Sequence, residues 1–141
     1  MHTENSIVIK GTIEEVFQVM TNVEGWSQLL SSHRRMNIIK QEGQMIVIER
    51  KGLIKWKSTL FIDKEKKVLE SHQIKGPLRG LSATWKFEEC HQGTKMILLH
   101  DFTCKIPVIK SLIESITAII LRKISTNTLN AVKEKVETKK I

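Results

Sequence analysis

TKMILLHDFTCKIPVIKSLIESITAIILRK, residues 94–123, holds two different periodicities. In its first third Met96, Leu98 and Phe102 alternate with other side chains, the period-two pattern of a strand with one face in a core. His100 falls on that same parity, so an ionisable ring shares the inward face, while Asp101 falls on the opposite one. Past Pro107 the period becomes helical. Ile109, Leu112, Ile113, Ile116, Ile119, Ile120 and Ile124 recur at spacings of three and four, followed by Asn127, Ala131 and Val132. No Gly or Pro interrupts residues 108–141, which predicts one long C-terminal helix with this stripe as its apolar face, frayed at its polar end.

Upstream of this stretch the period-two pattern continues. Residues 36–41, 44–52, 53–63, 67–76 and 81–90 read as five further strands, broken at EG 42–43, KG 51–52, DKEKK 63–67, GPLRG 76–80 and HQG 91–93. Connections this short force antiparallel pairing, because parallel strands need a crossover of a dozen or more residues. SIVIKG, residues 6–11, adds a first strand. After it, Thr12 and Glu15 form a capping box, and Ile13, Val16, Phe17 and Met20 give the following helix one apolar face. Gly25 ends or kinks that helix, and GWSQLLSS forms a second short helix or turn around Trp26. The expected fold is α+β: a curved, seven-stranded antiparallel sheet with two short helices after strand 1 and a long C-terminal helix across one face. A sheet bent around one helix leaves a gap between them, a natural ligand cavity.

With 141 residues and neither linker nor internal repeat, the chain fits one domain spanning 1–141. No signal peptide precedes the first strand, and ITAIIL is far shorter than the ~20 residues a membrane span needs. These features imply a cytoplasmic protein without stable membrane insertion. Cys90 and Cys104 show no metal-ligand spacing and read as free thiols; nothing calls for a metal or a cofactor. The net charge of +8 invites a nucleic-acid reading, but the basic residues are dispersed and Tyr is absent, so a solvated basic surface is favoured. Oligomeric state is not encoded in any motif.

The layout and particular residues resemble the helix-grip fold of the Bet v 1/START-like superfamily, and within it the polyketide cyclase/dehydrase group with its aromatase/cyclases. SIVIKGTIEEVFQVMTNVEGW is similar to the family's opening strand, helix and T-[ND]-V-E-x-W motif. GPLRGLSATWKFEE resembles a GP…W-x-[FY] segment, and GTKMILLHDF the GT[RK]M…[QH][DE]F last strand. The resemblance covers nearly the whole chain. It implies a deep apolar pocket that takes a poly-β-keto chain, delivered by an acyl carrier protein, and promotes aldol cyclisation and dehydration. The other implied reading is non-catalytic: a carrier of an isoprenoid quinone or lipid, as in coenzyme-Q-binding members of the superfamily.

The residues supply candidates for that pocket. His100 and His72 are the candidate proton-transfer groups, since an unperturbed histidine titrates near ~6.5. His100 stands where similar aromatase/cyclases carry Gln; the alternative is a histidine satisfied by a backbone carbonyl. His72 shares parity with Val68 and Ile74 but also with Glu70, so an outer-face position competes. Trp56 and Ser58 alternate with Ile54, Leu60 and Ile62 and are assigned to the substrate pocket, as are Trp26, Trp85, Leu98, Phe102 and Arg50. The family leads one to expect an arginine in the middle of strand 53–63, where this chain has Ser58 and Thr59. Arg50 is the candidate substitute, set against a strand-end arginine reaching for water. Asp101 points outward to pair with Lys or Arg, so no His–Asp dyad is expected. Arg79, in the GPLRG turn, is either a rim contact or a solvated charge.

Overall fold

The structure, a computed structural model, describes residues 1–138; the last three positions of the expected helix lie outside the described residues. Seven strands form one antiparallel sheet in the order β1-β7-β6-β5-β4-β3-β2. They are β1 His2–Ile9, β2 Met36–Glu42, β3 Met45–Arg50, β4 Trp56–Asp63, β5 Val68–Lys75, β6 Ser82–Cys90 and β7 Gly93–Asp101. Every sequential pair from β2 to β7 is a hairpin neighbour, and β1 returns to pair with β7. The helix-grip architecture is therefore present, with α1 at Ile13–Thr21, α2 at Trp26–Leu29 and α3 at Lys110–Thr138.

Local chemistry sets these boundaries. The Thr12 side chain accepts from the Glu15 amide at 3.1 Å and the Glu15 carboxylate accepts from the Thr12 amide at 3.3 Å, so the capping box forms as read. At the β6–β7 turn, Gly93 has φ +139°, and a Cβ there would lie 2.2 Å from the Ile9 carbonyl oxygen. Gly76 has φ +124° with Trp56 Cβ only 2.8 Å from a Cβ placed on it, which lets the 76–80 turn close over β4. Register shifts at Ile38/Lys40 and at Lys57/Ser58 bend the sheet.

Several expected boundaries change. Strand 1 starts at His2 rather than Ser6 and ends before Lys10. Strand 4 begins at Trp56, because residues 51–55 form an exposed loop with Leu53 fully in solvent. The second short helix is one turn of α2 flanked by 3-10 turns at Val23–Gly25 and Ser31–His33. The largest correction concerns α3. Its buried residues are Thr117, Leu121, Ser125, Thr128, Leu129, Val132 and Val136, whereas Ile109, Leu112, Ile116, Ile119 and Ile120 from the expected core stripe are exposed. The core lies between α1, the C-terminal half of α3 and the inner sheet face, centred on Val16, Met20, Leu60, Leu69, Met96 and Val132.

Candidate functional site

Between the inner sheet face and the N-terminal half of α3 lies a cavity of about 470 Å³, within the range of small-molecule sites, roughly 300–1,000 Å³. Its walls alternate along the strands as the pleat requires. Trp56 and Ser58 come from β4, Ser71 and Gln73 from β5, Ala83 and Trp85 from β6, and Leu98 and His100 from β7. Ile120, Leu121, Ile124 and Thr128 close it from α3, and Ile54, Pro77, Leu78 and Leu81 form loop walls. Arg50, at the end of β3, and Ser31, Ser32 and His33 complete the lining.

His100 is buried, and its Nδ1 lies 3.3 Å from the Ser125 hydroxyl of α3. Burial holds its pKa down to about 4, against a smaller opposing pull from Asp101. The ring is thus neutral at pH 7, tied to a serine hydroxyl rather than a backbone carbonyl. Asp101 is exposed and pairs with His2, 2.7 Å away, in place of the expected Lys or Arg, while the His100 ring bonds Ser125.

A second histidine, His33, was not visible from periodicity. It follows α2 in a 3-10 turn, where no repeating pattern reveals a face. Its ring sits edge-on between Trp26, at 5.1 Å, and Trp56, at 5.3 Å, and its Nδ1 is 2.8 Å from Ser32 Oγ. Loss of water around the ring lowers its pKa to about 4 as well. The only sequence signal was indirect: seven residues after Trp26, in a segment that had to turn back toward the sheet.

Two donors in the lining have no acceptor among the described residues. The Arg50 Nε and the Trp85 Nε1 are both buried and unpaired. Since a buried unpaired donor costs roughly 1–3 kcal/mol, both favour a ligand that brings oxygen acceptors. Gln73 differs: its side-chain oxygen accepts from the Leu78 amide at 2.7 Å and so pins the 76–80 turn.

The other expected site residues divide. Trp56, Ser58, Trp85, Leu98 and Arg50 border the cavity. Trp26 does not; it is fully buried behind the wall, its Nε1 donating to the Met20 carbonyl at 2.8 Å and its ring 5.9 Å from Trp85. Phe102 is buried outside the cavity, because β7 ends at Asp101 and the Phe102 backbone bonds with Met1. His72 faces the outer side of the sheet, 3.8 Å from Glu70 and stacked edge-on against Phe61. The inward parity of β5 is set by Leu69, which pairs across to Ile62 and Trp85, so Ser71 and Gln73 face the cavity instead. Among the described residues no three His, Cys, Asp or Glu side chains converge as a metal's donor set requires, and both cysteines are free thiols.

The family of polyketide cyclases/dehydrases and lipid transport proteins matches residues 9–131. The chain belongs to that family. A provisionally named polyketide cyclase of Streptomyces cyaneus is 27% identical over 112 residues, covering 74% of each chain. Among solved structures, the Zhui aromatase/cyclase of a Streptomyces species superposes with a TM-score of 0.81 at 18% identity, over 97% of this chain and 93% of that one. A START superfamily protein of Mycobacterium smegmatis gives 0.72 at 10% identity, over 97% of both chains. At these identities the structural likenesses establish the fold, a START/Bet v 1-like helix grip. Family and cavity together describe a helix-grip protein that holds a hydrophobic ligand.

Proposed function

We propose that the cavity binds a poly-β-keto chain, delivered by an acyl carrier protein, and promotes its aldol cyclisation and dehydration. One observation carries this reading: two neutral histidines and two unpaired N–H donors line a single, mostly apolar cavity. His100 takes a proton from a methylene flanked by two carbonyls, and Arg50 or Trp85 donates to the resulting enolate oxygen. The enolate carbon attacks a ketone carbon of the same chain, and the alkoxide takes the proton back from the imidazolium. Removal of a second α-proton and loss of the hydroxyl as water complete the dehydration. With its pKa held at about 4, His100 is free to accept a proton at pH 7 and returns it readily, but it is a weak base, so the donors at the enolate oxygen carry the larger share of the deprotonation step. His33, in the cavity lining between Trp26 and Trp56, is the second proton-transfer group. Orientation of the chain by the tryptophan walls supplies the remaining advantage.

The position of Ser58 favours a second reading, a carrier of a hydrophobic molecule, because the arginine that the resemblance led one to expect in mid-strand is missing there. Product analysis in a reconstituted polyketide synthase separates the two. His100→Ala should lower cyclised product by roughly 10²-fold, the scale of one proton-transfer group, while circular dichroism stays native. Unchanged product distribution would contradict the catalytic role and leave the carrier.

A further inference from the structure

The N-terminal half of α3 is inverted. Its buried positions are Thr117 and Leu121, followed by Ser125 and Thr128 just past mid-helix, while Leu112, Ile116, Ile119 and Ile120, with Ile109 just before the helix, are exposed at mostly three- and four-residue spacings. Exposure of Leu112 at 62% and Ile119 at 68% marks an unpartnered face rather than scattered single residues. The stripe continues through Val108 and Ile106 upstream of the helix. It also reaches the cavity mouth: Ile120 and Ile54 are both exposed and both line the cavity, and Leu53 beside Ile54 is wholly in solvent.

Charge decides what covers this face. Across the segments that carry or border it (50–57, 75–81 and 105–124) stand Lys55, Lys57, Lys75, Arg79, Lys105, Lys110, Arg122 and Lys123, besides Lys51, which pairs with Glu49 at 3.7 Å, and Arg50, which lines the cavity. The one acid in those segments, Glu114, accepts from the Cys104 amide at 2.9 Å. A second copy would bring two such basic fields together, whereas an anionic bilayer complements both the charge and the apolar stripe. No described helix is long and apolar enough to cross a membrane, so the contact is with the surface of one leaflet. We propose that this face docks on anionic phospholipid membranes, placing the cavity mouth against the bilayer so that an apolar ligand passes between lipid and cavity without crossing water. Ligand passage rests on the reading of the cavity as a hydrophobic-ligand site; docking does not, and it is measured without ligand.

Co-sedimentation of the whole chain with phosphatidylcholine vesicles, and with equimolar phosphatidylcholine and phosphatidylglycerol vesicles, tests the proposal. The protein should pellet with the anionic vesicles and stay largely free of the neutral ones. Lys55→Gln and Arg122→Gln should each weaken partitioning about fivefold, and Leu112→Ser/Ile119→Ser about tenfold or more. All these positions are exposed, so melting curves should match the wild type. Equal or absent partitioning on the two vesicle types overturns the proposal, as does a dimer in analytical ultracentrifugation that Leu112→Ser/Ile119→Ser dissociates.

Discussion

The two halves of α3 bury opposite kinds of side chain. In the C-terminal half, Leu129, Val132 and Val136 pack into the core while Asn130, Glu134 and Lys135 face water. Before Leu129 the buried positions are Thr117, Leu121, Ser125 and Thr128, three hydroxyls and one leucine, and from Leu112 to Ile120 the outer face is isoleucine and leucine. The same helix therefore closes a packed core at one end and roofs a cavity at the other. A helix facing a cavity is relieved of the demand for close-packed apolar residues and can present polar groups, here the Ser125 hydroxyl at His100.

Mutations that compare the halves should give very different results. Leu129→Ala removes a buried side chain from the core half and should cost about 2–5 kcal/mol in urea unfolding; a loss below 1 kcal/mol would mean that this half is not packed as described. Next in size is a pH effect belonging to the cavity half. An unfolded histidine takes up a proton near 6.5, while native His100 stays neutral down to about 4. Its stabilising share is thus whole above pH 6.5 and is lost as pH falls toward 4, on the order of 3 kcal/mol at most. Because His33 carries the same downward shift, His100→Gln should make that part of the stability–pH curve shallower by about half rather than flat, and an unchanged curve would place the titration elsewhere. Ser125→Ala leaves the buried His100 Nδ1 without its partner and should cost about 1–2 kcal/mol in the same unfolding assay. Smallest is Ile119→Ala, on the outer face, expected to stay within about 0.5 kcal/mol of wild type. A loss comparable to that of Leu129→Ala would show that the stripe is core after all.

The contrast also explains what the sequence could and could not disclose. Strands were legible because alternation and glycine-marked turns report backbone chemistry directly, and the capping box fixed α1 for the same reason. The length of α3 was legible from the absence of Gly and Pro. Its facing was not: apolar spacing finds a stripe, but the stripe marks the core only where a core is what the helix meets. His72 misled for a related reason. Val68 and Ile74 gave β5 an apolar parity, yet Phe61, Ile74 and Ile39 show that the outer sheet face is itself partly apolar, and only the cross-strand register of Leu69 fixes the inner side. His33 lay in a turn without period, held by two tryptophans that are distant in sequence from each other. His100 and Trp85 were found because both sit inside long, regular strands.

The central claim is that the space beneath the N-terminal half of α3 is a ligand site. Native mass spectrometry of the protein mixed with a hydroxylated anthraquinone tests it most directly, using Ala83→Trp to fill the cavity and Leu112→Ser/Ile119→Ser to blunt the outer face. The account predicts a one-to-one complex for the wild type and the outer-face variant, and none for Ala83→Trp. A complex that survives in Ala83→Trp but disappears in the outer-face variant would contradict it.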